Sequence, residues 1–174
     1  PPQPCIIAAR RSPILPRGGA FAALAHAGLP PASVDEVILS NALGAGGNPA
    51  RLAALAAGLP DRVAGLSIDR QCAGGLDAIR LAVAMVAAGQ AEVVVAGGAE
   101  TYSRRPLRLA QQPGQPPQPY DAPPFTPWPD RDPDMTQAAA DLADRLGLDR
   151  AAQDQFAIAS HQRALAHAPQ PEIT

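Results

Sequence analysis

The sequence predicts an α/β fold in layers, a mostly parallel sheet covered by helices, and three observations carry that prediction. Strand-like and helix-like segments alternate three times between residues 34 and 98, and turns rich in glycine or proline stand at the junctions. The strand segments are short apolar runs, as expected where both faces of a sheet are covered.

Cys5 to Ala9 is an apolar run between prolines and Arg10-Arg11, which suits a buried strand, and Gly18-Gly19 then breaks the chain. Phe21 to Ala27 allows about two helical turns before Gly28 and Pro30-Pro31. Val34 to Ser40 reads as the second strand. Asn41 to Gly47 is a glycine-rich turn, and Asn48-Pro49 reads as an N-cap followed by proline at the first helical position, opening a helix to Ala57 that Gly58 stops. Val63 to Asp69 is the third strand. After Gln71 to Gly75 a long helix runs to Gly89. Its Leu76, Ile79, Val83 and Val86 repeat at helical spacing and the rest of its surface is mostly Ala, so it is expected to be buried nearly all round. Glu92 to Ala96 suits a central strand closed by Gly97-Gly98.

Between Pro106 and Pro133 ten prolines interrupt any periodic pattern, which predicts a long loop excursion. Helical signals return from Thr136 to Leu146, stop at Gly147, and resume after Asp149, a cap residue, to about Ala168. The organisation expected is an α/β core over residues 1–105, a Pro-rich loop over 106–134 and a helical segment over 135–174 leading into a second half that the chain lacks.

Composition narrows the function. A net charge of −2 offers no general attraction for nucleic acid or an anionic membrane. The basic residues are all Arg, so lysine Schiff bases and the P-loop lysine are excluded. Two cysteines, Cys5 and Cys72, cannot make a dense disulfide framework, and no run nears the ~20 apolar residues of a membrane span. A cytoplasmic setting is expected, with no metal and no membrane partner.

Cys72 stands between a strand and the start of the long helix, with Gly74 and Gly75 after it. Two small residues would let a substrate thioester approach, and unpaired N–H groups at a helix start put partial positive charge beside a sulfur, which favours the anion. Free cysteine, with a pKa near 8.5, is only roughly 3% ionised at pH 7 and needs such help. The plain alternative is a small buried apolar cysteine.

The surrounding residues decide between these, because the chain resembles the thiolase family. The matching pieces, in order, are Arg11-Ser12-Pro13-Ile14; Val34-Asp35-Glu36-Val37-Ile38; Asn48-Pro49-Ala50-Arg51; Cys72-Ala73-Gly74-Gly75-Leu76; Val94-Val95-Ala96-Gly97-Gly98-Ala99-Glu100 with Ser103; Ala151-Ala152-Gln153-Asp154-Gln155 leading to Ser160-His161-Gln162-Arg163-Ala164; and Glu172-Ile173. The resemblance implies a thiolase-like layered fold, N-terminal half. It implies Cys72 as the nucleophile that takes an acyl group from an acyl-CoA thioester and passes it to CoA or to an acetyl-CoA carbanion. It further implies the Cys72 N–H as half of an oxyanion hole, Met135 as a residue lining the acyl pocket, and assembly as a homodimer or tetramer. Acyl-CoA and CoA are substrates in this reading, and no separate cofactor is expected.

The chain also departs from the family's pattern. It has no Gly-His-Pro, no Asn-Glu-Ala-Phe and no second cysteine near a Gly, so a complementary thiolase half is expected to supply the acid–base groups, and the 174 residues alone are expected to turn over little. His26, His161 and His167 read as solvated or capping residues, and Cys5 as a buried structural one. Gly74 replaces a common Ser, Gly47 and Leu52 replace glutamines, and Asp134 and Thr136 flank Met135 in place of His and Gly. Between Gly19 and Pro31 the chain lacks a helix that the family usually carries before the Val34-Asp35-Glu36 segment, so part of one layer is expected to be missing. If its loss left even ~300 Å² of apolar sheet wet, at ~25 cal/mol per Å², the cost would be several kcal/mol, so a compensating interface or a fragile protein is expected.

Two rival readings remain. One is a noncatalytic thiolase-like subunit that partners acyl-CoA enzymes. The other is a dinucleotide-binding domain built on Gly44, Gly46 and Gly47 with Asp69 downstream, although the third glycine of that fingerprint falls at Pro49. Arg104, Arg105 and Arg108 form a small basic cluster that reads as solvated surface, with CoA phosphates as the functional alternative.

Overall fold

The computed structural model describes residues 3–7, 27–44, 46–100 and 105–166. The chain divides into two compact units that part between Pro106 and Leu107.

The first unit is built on a parallel three-stranded sheet. Its strands are β1 (Glu36–Ser40), β2 (Ala64–Ile68) and β3 (Val94–Gly98), with β1 in the centre. Helix α1 (Pro49–Ala56) connects β1 to β2, and α2 (Gly74–Ala87) connects β2 to β3. Glu36 pairs with Ala64 on one side and Val94 on the other, and Ser40 pairs with Ile68 and Gly98. One expectation is corrected here: the valine run at 92–96 suits a central strand, yet among the described residues β3 stands at the edge of the sheet and β1, whose apolar run Val37 to Leu39 is shorter, takes the centre and is the more deeply buried.

Alternation along β1 divides the core. Val37 and Leu39 face Ala50 and Ala54 of α1, together with Val34, Leu59 and Val63. Ile38 faces Ala78 and Ala82 of α2 on the other side. The two helices thus cover opposite faces of one strand, and the predicted α/β layering is what the chain adopts.

Local chemistry fixes α1 on β2. The Asn48 side chain caps the helix by accepting from Arg51 N at 3.1 Å, accepts from Ser67 Oγ at 2.7 Å, and donates to Gly65 O at 2.6 Å. Ala50 N donates to Ser67 Oγ at 3.0 Å, and the Arg51 guanidinium donates to Val63 O and Asp61 O. A Cβ on Gly65 would stand 2.4 Å from Arg51 N, so only glycine allows this approach. Gly58, at φ +77, ends the helix where the sequence places its stop.

Two carboxylates fasten β1 to β3. At the start of β1, Asp35 Oδ2 accepts from Glu92 N at 2.7 Å and Val93 N at 3.0 Å. Beyond its end, Glu100 accepts from Ala42 N at 2.6 Å and from Leu43 N at 3.1 Å. The bonds from Val93 and Glu92 hold the Asp35 carboxyl below its ordinary range, aided by Arg62 at 3.9 Å.

Three further expectations are corrected. Residues 3–7 form no strand, and Cys5, Ile6 and Ile7 are exposed. Among the described residues no further strand pairs with the outer edge of β2 or β3, so the run has strand composition but no ladder. Helix α2 is not buried all round. It packs through Gly74, Ala78 and Ala82, while Leu76, Ile79 and Val83 are exposed, because a stripe of small residues lets its backbone approach the sheet closely. Finally, part of the Pro-rich stretch is ordered as an antiparallel hairpin.

That hairpin belongs to the second unit and pairs β4 (Arg108–Ala110) with β5 (Gln118–Tyr120). Helices α3 (Met135–Arg145) and α4 (Arg150–Ala166) follow. Asp134 caps α3 by accepting from Gln137 N at 2.9 Å, and Asp149 accepts from Ala152 N at 2.8 Å at the start of α4. The short helix expected near Phe21 and the strand end at Ala8-Ala9 lie outside the described residues.

Asn48→Ala should lower stability by about 1–2 kcal/mol, since it removes the cap, and urea unfolding should show a lower midpoint at unchanged slope. The pH dependence has a definite sign. Asp35 titrates lower when folded, so its contribution is present above the unfolded value of about 3.9 and is lost as pH falls through the folded one. Urea midpoints should drop between about pH 6 and about pH 3, and Asp35→Ala should shrink that drop.

Candidate active site

The three parallel strands end together at Ser40, Ile68 and Gly98, and the turn carrying Cys72 leaves from this edge. After β2 the chain must reverse sharply into α2. It does so at Gln71, which takes φ +48, a left-handed conformation that costs a non-glycine residue roughly 1–2 kcal/mol. Among the described non-glycine residues Gln71 alone has positive φ. Asp69 supports it by accepting from Gln71 N at 2.8 Å. A single 3-10 turn, Gln71–Ala73, then leads directly into α2, and Gly74 N closes it on Gln71 O.

An ion-pair strap spans this turn. Arg70 Nη1 lies 2.5 Å from Asp77 Oδ2, so a residue before Cys72 is tied to the first turn of α2. Arg80 Nε approaches the other oxygen at 3.3 Å. The Arg70 hydrogen bond is the main reason that the Asp77 carboxyl sits below its usual value. With both oxygens engaged by guanidinium groups, this carboxylate helps the helix start while its charge is largely answered within the strap.

Cys72 lies in the turn with its residue exposed to solvent and is a free thiol. The buried-apolar alternative does not describe it. Ala73, at the N-cap of α2, contributes no side-chain hydrogen bond to the helix start. The glycines after Cys72 serve the fold first. A Cβ on Gly74 would fall 1.8 Å from Ser40 Oγ, so its smallness lets the helix rest on the end of β1, whereas one on Gly75 would lie 3.8 Å from Gly98 N, an ordinary contact.

The other candidates fall elsewhere. Cys5, expected to be buried, is exposed. Met135 opens α3 in the second unit and is 65% exposed. His161 is exposed on α4, while His26, His167 and Arg104 lie outside the described residues. Arg105 and Arg108 are half-buried. Asp69, the acidic residue of the dinucleotide reading, is taken up in supporting Gln71. Among the described residues no helix is long and apolar enough to cross a membrane, and no group of His, Cys, Asp and Glu is placed to hold a metal ion.

Sequence reasoning missed the strap and the Ser40–Gly74 contact. Arg70 and Asp77 are seven residues apart, but Arg70 precedes the helix, so helical periodicity does not reach across the strand-to-helix turn to pair them. Ser40 reads only as the end of an apolar run.

Comparison with known proteins agrees with this architecture. The family profile "Thiolase, N-terminal domain" matches residues 15–172. YhfS of Bacillus subtilis (strain 168) is 45% identical over 131 residues, covering 75% of this chain and 33% of its own length. VraB of Staphylococcus aureus (strain MRSA252) is 41% identical over 133 residues, covering 74% and 35%. Both bear the name "Putative acetyl-CoA C-acetyltransferase". The crystal structure of the Bacillus anthracis acetyl-CoA acetyltransferase superposes with a TM-score of 0.76 at 38% identity, over 92% of this chain and 46% of that one. The Acat5 thiolase from Ascaris suum, solved in complex with coenzyme A, gives 0.70 at 25% identity over 92% and 47%. The chain spans about a third of the length of the curated relatives it matches and just under half of the matched crystal structures. Strand order, the helix-opening cysteine turn and these matches together make the chain a member of the thiolase family, aligned with its N-terminal domain.

Proposed function

We propose that the chain carries the acyl-accepting part of a thiolase-type acyl-CoA acyltransferase and that Cys72 is the nucleophile. The observation that carries this reading is the exposed Cys72 thiol on a turn that opens directly into a long helix at the edge where three parallel strands end. Ligands of open α/β sheets bind outside the carboxyl ends of the strands, and the donors of a helix start favour negative charge there.

In the proposed step the Cys72 sulfur, as thiolate, attacks the carbonyl carbon of an acyl-CoA thioester. The carbonyl oxygen takes the negative charge, and we assign the Cys72 N–H as one of its donors. Collapse breaks the bond from carbon to the CoA sulfur, so CoA leaves as a thiolate that then takes a proton, and the acyl group stays on Cys72. In condensation an acetyl-CoA carbanion then attacks the acyl carbon and Cys72 leaves as thiolate. In thiolysis Cys72 instead attacks the 3-keto carbon of a 3-ketoacyl-CoA, the bond between C2 and C3 breaks, and acetyl-CoA leaves as a carbanion that takes a proton. The thiolate of a second CoA then takes the acyl group from Cys72. Proton transfer in both halves is assigned to a complementary thiolase half rather than to His26, His161 or His167. Met135 is retained as a candidate for the acyl pocket, and self-association is proposed by analogy with the family.

The 174-residue chain, mixed with acetyl-CoA, should gain one acetyl group by intact mass, and peptide mapping should place it on Cys72 without catalytic turnover. Cys72→Ala should abolish the adduct and Cys5→Ala should leave it. Iodoacetamide at about pH 7 should label Cys72 at least several-fold faster than free cysteine. Acetyl found on Cys5, or labelling of Cys72 no faster than that of free cysteine, would remove Cys72 from the role.

A further inference from the structure

Ser40 ends β1 and is 5% exposed, the one buried polar residue among those described. Gly74 begins α2, two positions after Cys72. A Cβ built on Gly74 would lie 1.8 Å from Ser40 Oγ and 2.6 Å from Ser40 Cβ. Rotating the serine hydroxyl away relieves the first overlap but not the second, because Ser40 Cβ is fixed to the backbone. Only one of these two positions can carry a side chain in this fold.

Which partner would yield can be argued from the bonding around each. Ser40 is held from both sides: it pairs with Ile68 and Gly98, its carbonyl accepts from Ala99 N at 2.9 Å, and Asn41 Nδ2 next to it donates to Ala99 O at 2.7 Å. The carboxylate of Glu100 fixes the two residues that follow. Gly74, by contrast, sits on a single 3-10 turn whose closing bond, Gly74 N to Gln71 O, encloses Cys72. Crowding at this contact would push the turn off the sheet and carry the sulfur with it.

We propose that Ser40 is a positioning residue: by filling the space that a side chain at position 74 would need, it seats the Cys72 turn on the end of the central strand. The proposal rests on the reading of Cys72 as the acyl acceptor only for its catalytic meaning, since the seating itself is a property of the contact. The side chain at this point comes from the strand, and the helix turn supplies the glycine. Moving the side chain from one partner to the other should therefore preserve the seat, whereas giving both partners a side chain should not.

The test compares the full 174-residue chain with Gly74→Ser, Ser40→Gly and the double variant Ser40→Gly/Gly74→Ser. The readout is the iodoacetamide labelling rate of Cys72 relative to Cys5 in the same molecule, taken well below the urea midpoint with far-UV circular dichroism as the check on folding. Gly74→Ser should lower this ratio about five-fold or more, and the double variant should return it to within about two-fold of the parent. A merely destabilising substitution would lower the midpoint without moving the ratio in the folded protein. An unchanged ratio in Gly74→Ser, or a double variant as impaired as the single one, would overturn the proposal. If Gly74→Ser does not fold, a double variant that folds with the parent ratio supports the proposal and one that also fails to fold overturns it. Acetylation by acetyl-CoA is measured in parallel. A parent chain that takes no acetyl group would sink the acyl-acceptor reading, while the labelling ratios would still decide the seating.

Discussion

The first unit depends on one constraint: every element in it is placed with reference to β1. Both neighbouring strands pair with it in the same register, and the two helices are held against its opposite faces by the alternation of Val37 and Leu39 with Ile38. Such a strand cannot slip by one residue without exchanging its two cores, so hydrophobic burial alone fixes its register. The carboxylates of Asp35 and Glu100 then fasten its two ends to β3 and its flanking chain through backbone N–H groups. Bonds from a charged acceptor to backbone donors are among the stronger ones available, and here they stand where strands would otherwise fray.

This arrangement gives a physical meaning to the short motifs by which the chain resembles the thiolase family. Asn48-Pro49-Ala50-Arg51 is a clamp of a helix onto a strand: its side chains and N–H groups reach Gly65, Ser67, Asp61 and Val63. The Asp of Val34-Asp35-Glu36 and the Glu that closes Gly97-Gly98-Ala99-Glu100 are fasteners of the sheet. None of these residues is offered as a chemical participant. They hold the strand ends from which the Cys72 turn departs, and the chemistry proposed for that turn needs a sulfur whose position is set within a few tenths of an ångström.

What the sequence made legible follows from range. The cap at Asn48, the stops at Gly58 and Gly147 and the cap at Asp149 are local effects of side chains on their own backbone, and each falls where it is read. Strand and helix order also emerges, because each crossover is encoded by a contiguous alternation of patterns. Cys72 at a strand-to-helix junction was accessible for the same reason. The failures are non-local. An apolar run at Cys5 to Ala9 specifies affinity for a sheet edge but not that the chain delivers it to one: residues 3–7 form no strand, and Cys5 is exposed. The hairpin of β4 and β5 joins residues on either side of Gly114 inside a proline-rich stretch, and its Pro119 is tolerated because a two-stranded ribbon has open edges. The Ser40–Gly74 contact links positions with no shared period, and a single sequence carries no signal for it.

Helix α2 shows why size and hydrophobicity must be read separately. Periodicity picks out Leu76, Ile79 and Val83 as the core face, yet they are 71%, 37% and 41% exposed while Gly74, Ala78 and Ala82 are buried. A parallel sheet with backbones this close leaves no room for branched side chains between helix and strand, so the residues that contribute least transfer free energy occupy the contact. The seat of α2 is consequently set by the approach of backbones, with Ile68, Leu81, Met85, Val94 and Ala96 packed around Ile38, Ala78 and Ala82. A change of one methyl group on the inner stripe, above all at Gly74, acts directly on the segment that carries Cys72. The small-residue face of the helix, rather than its large apolar one, thus sets the seat of the turn that carries the sulfur.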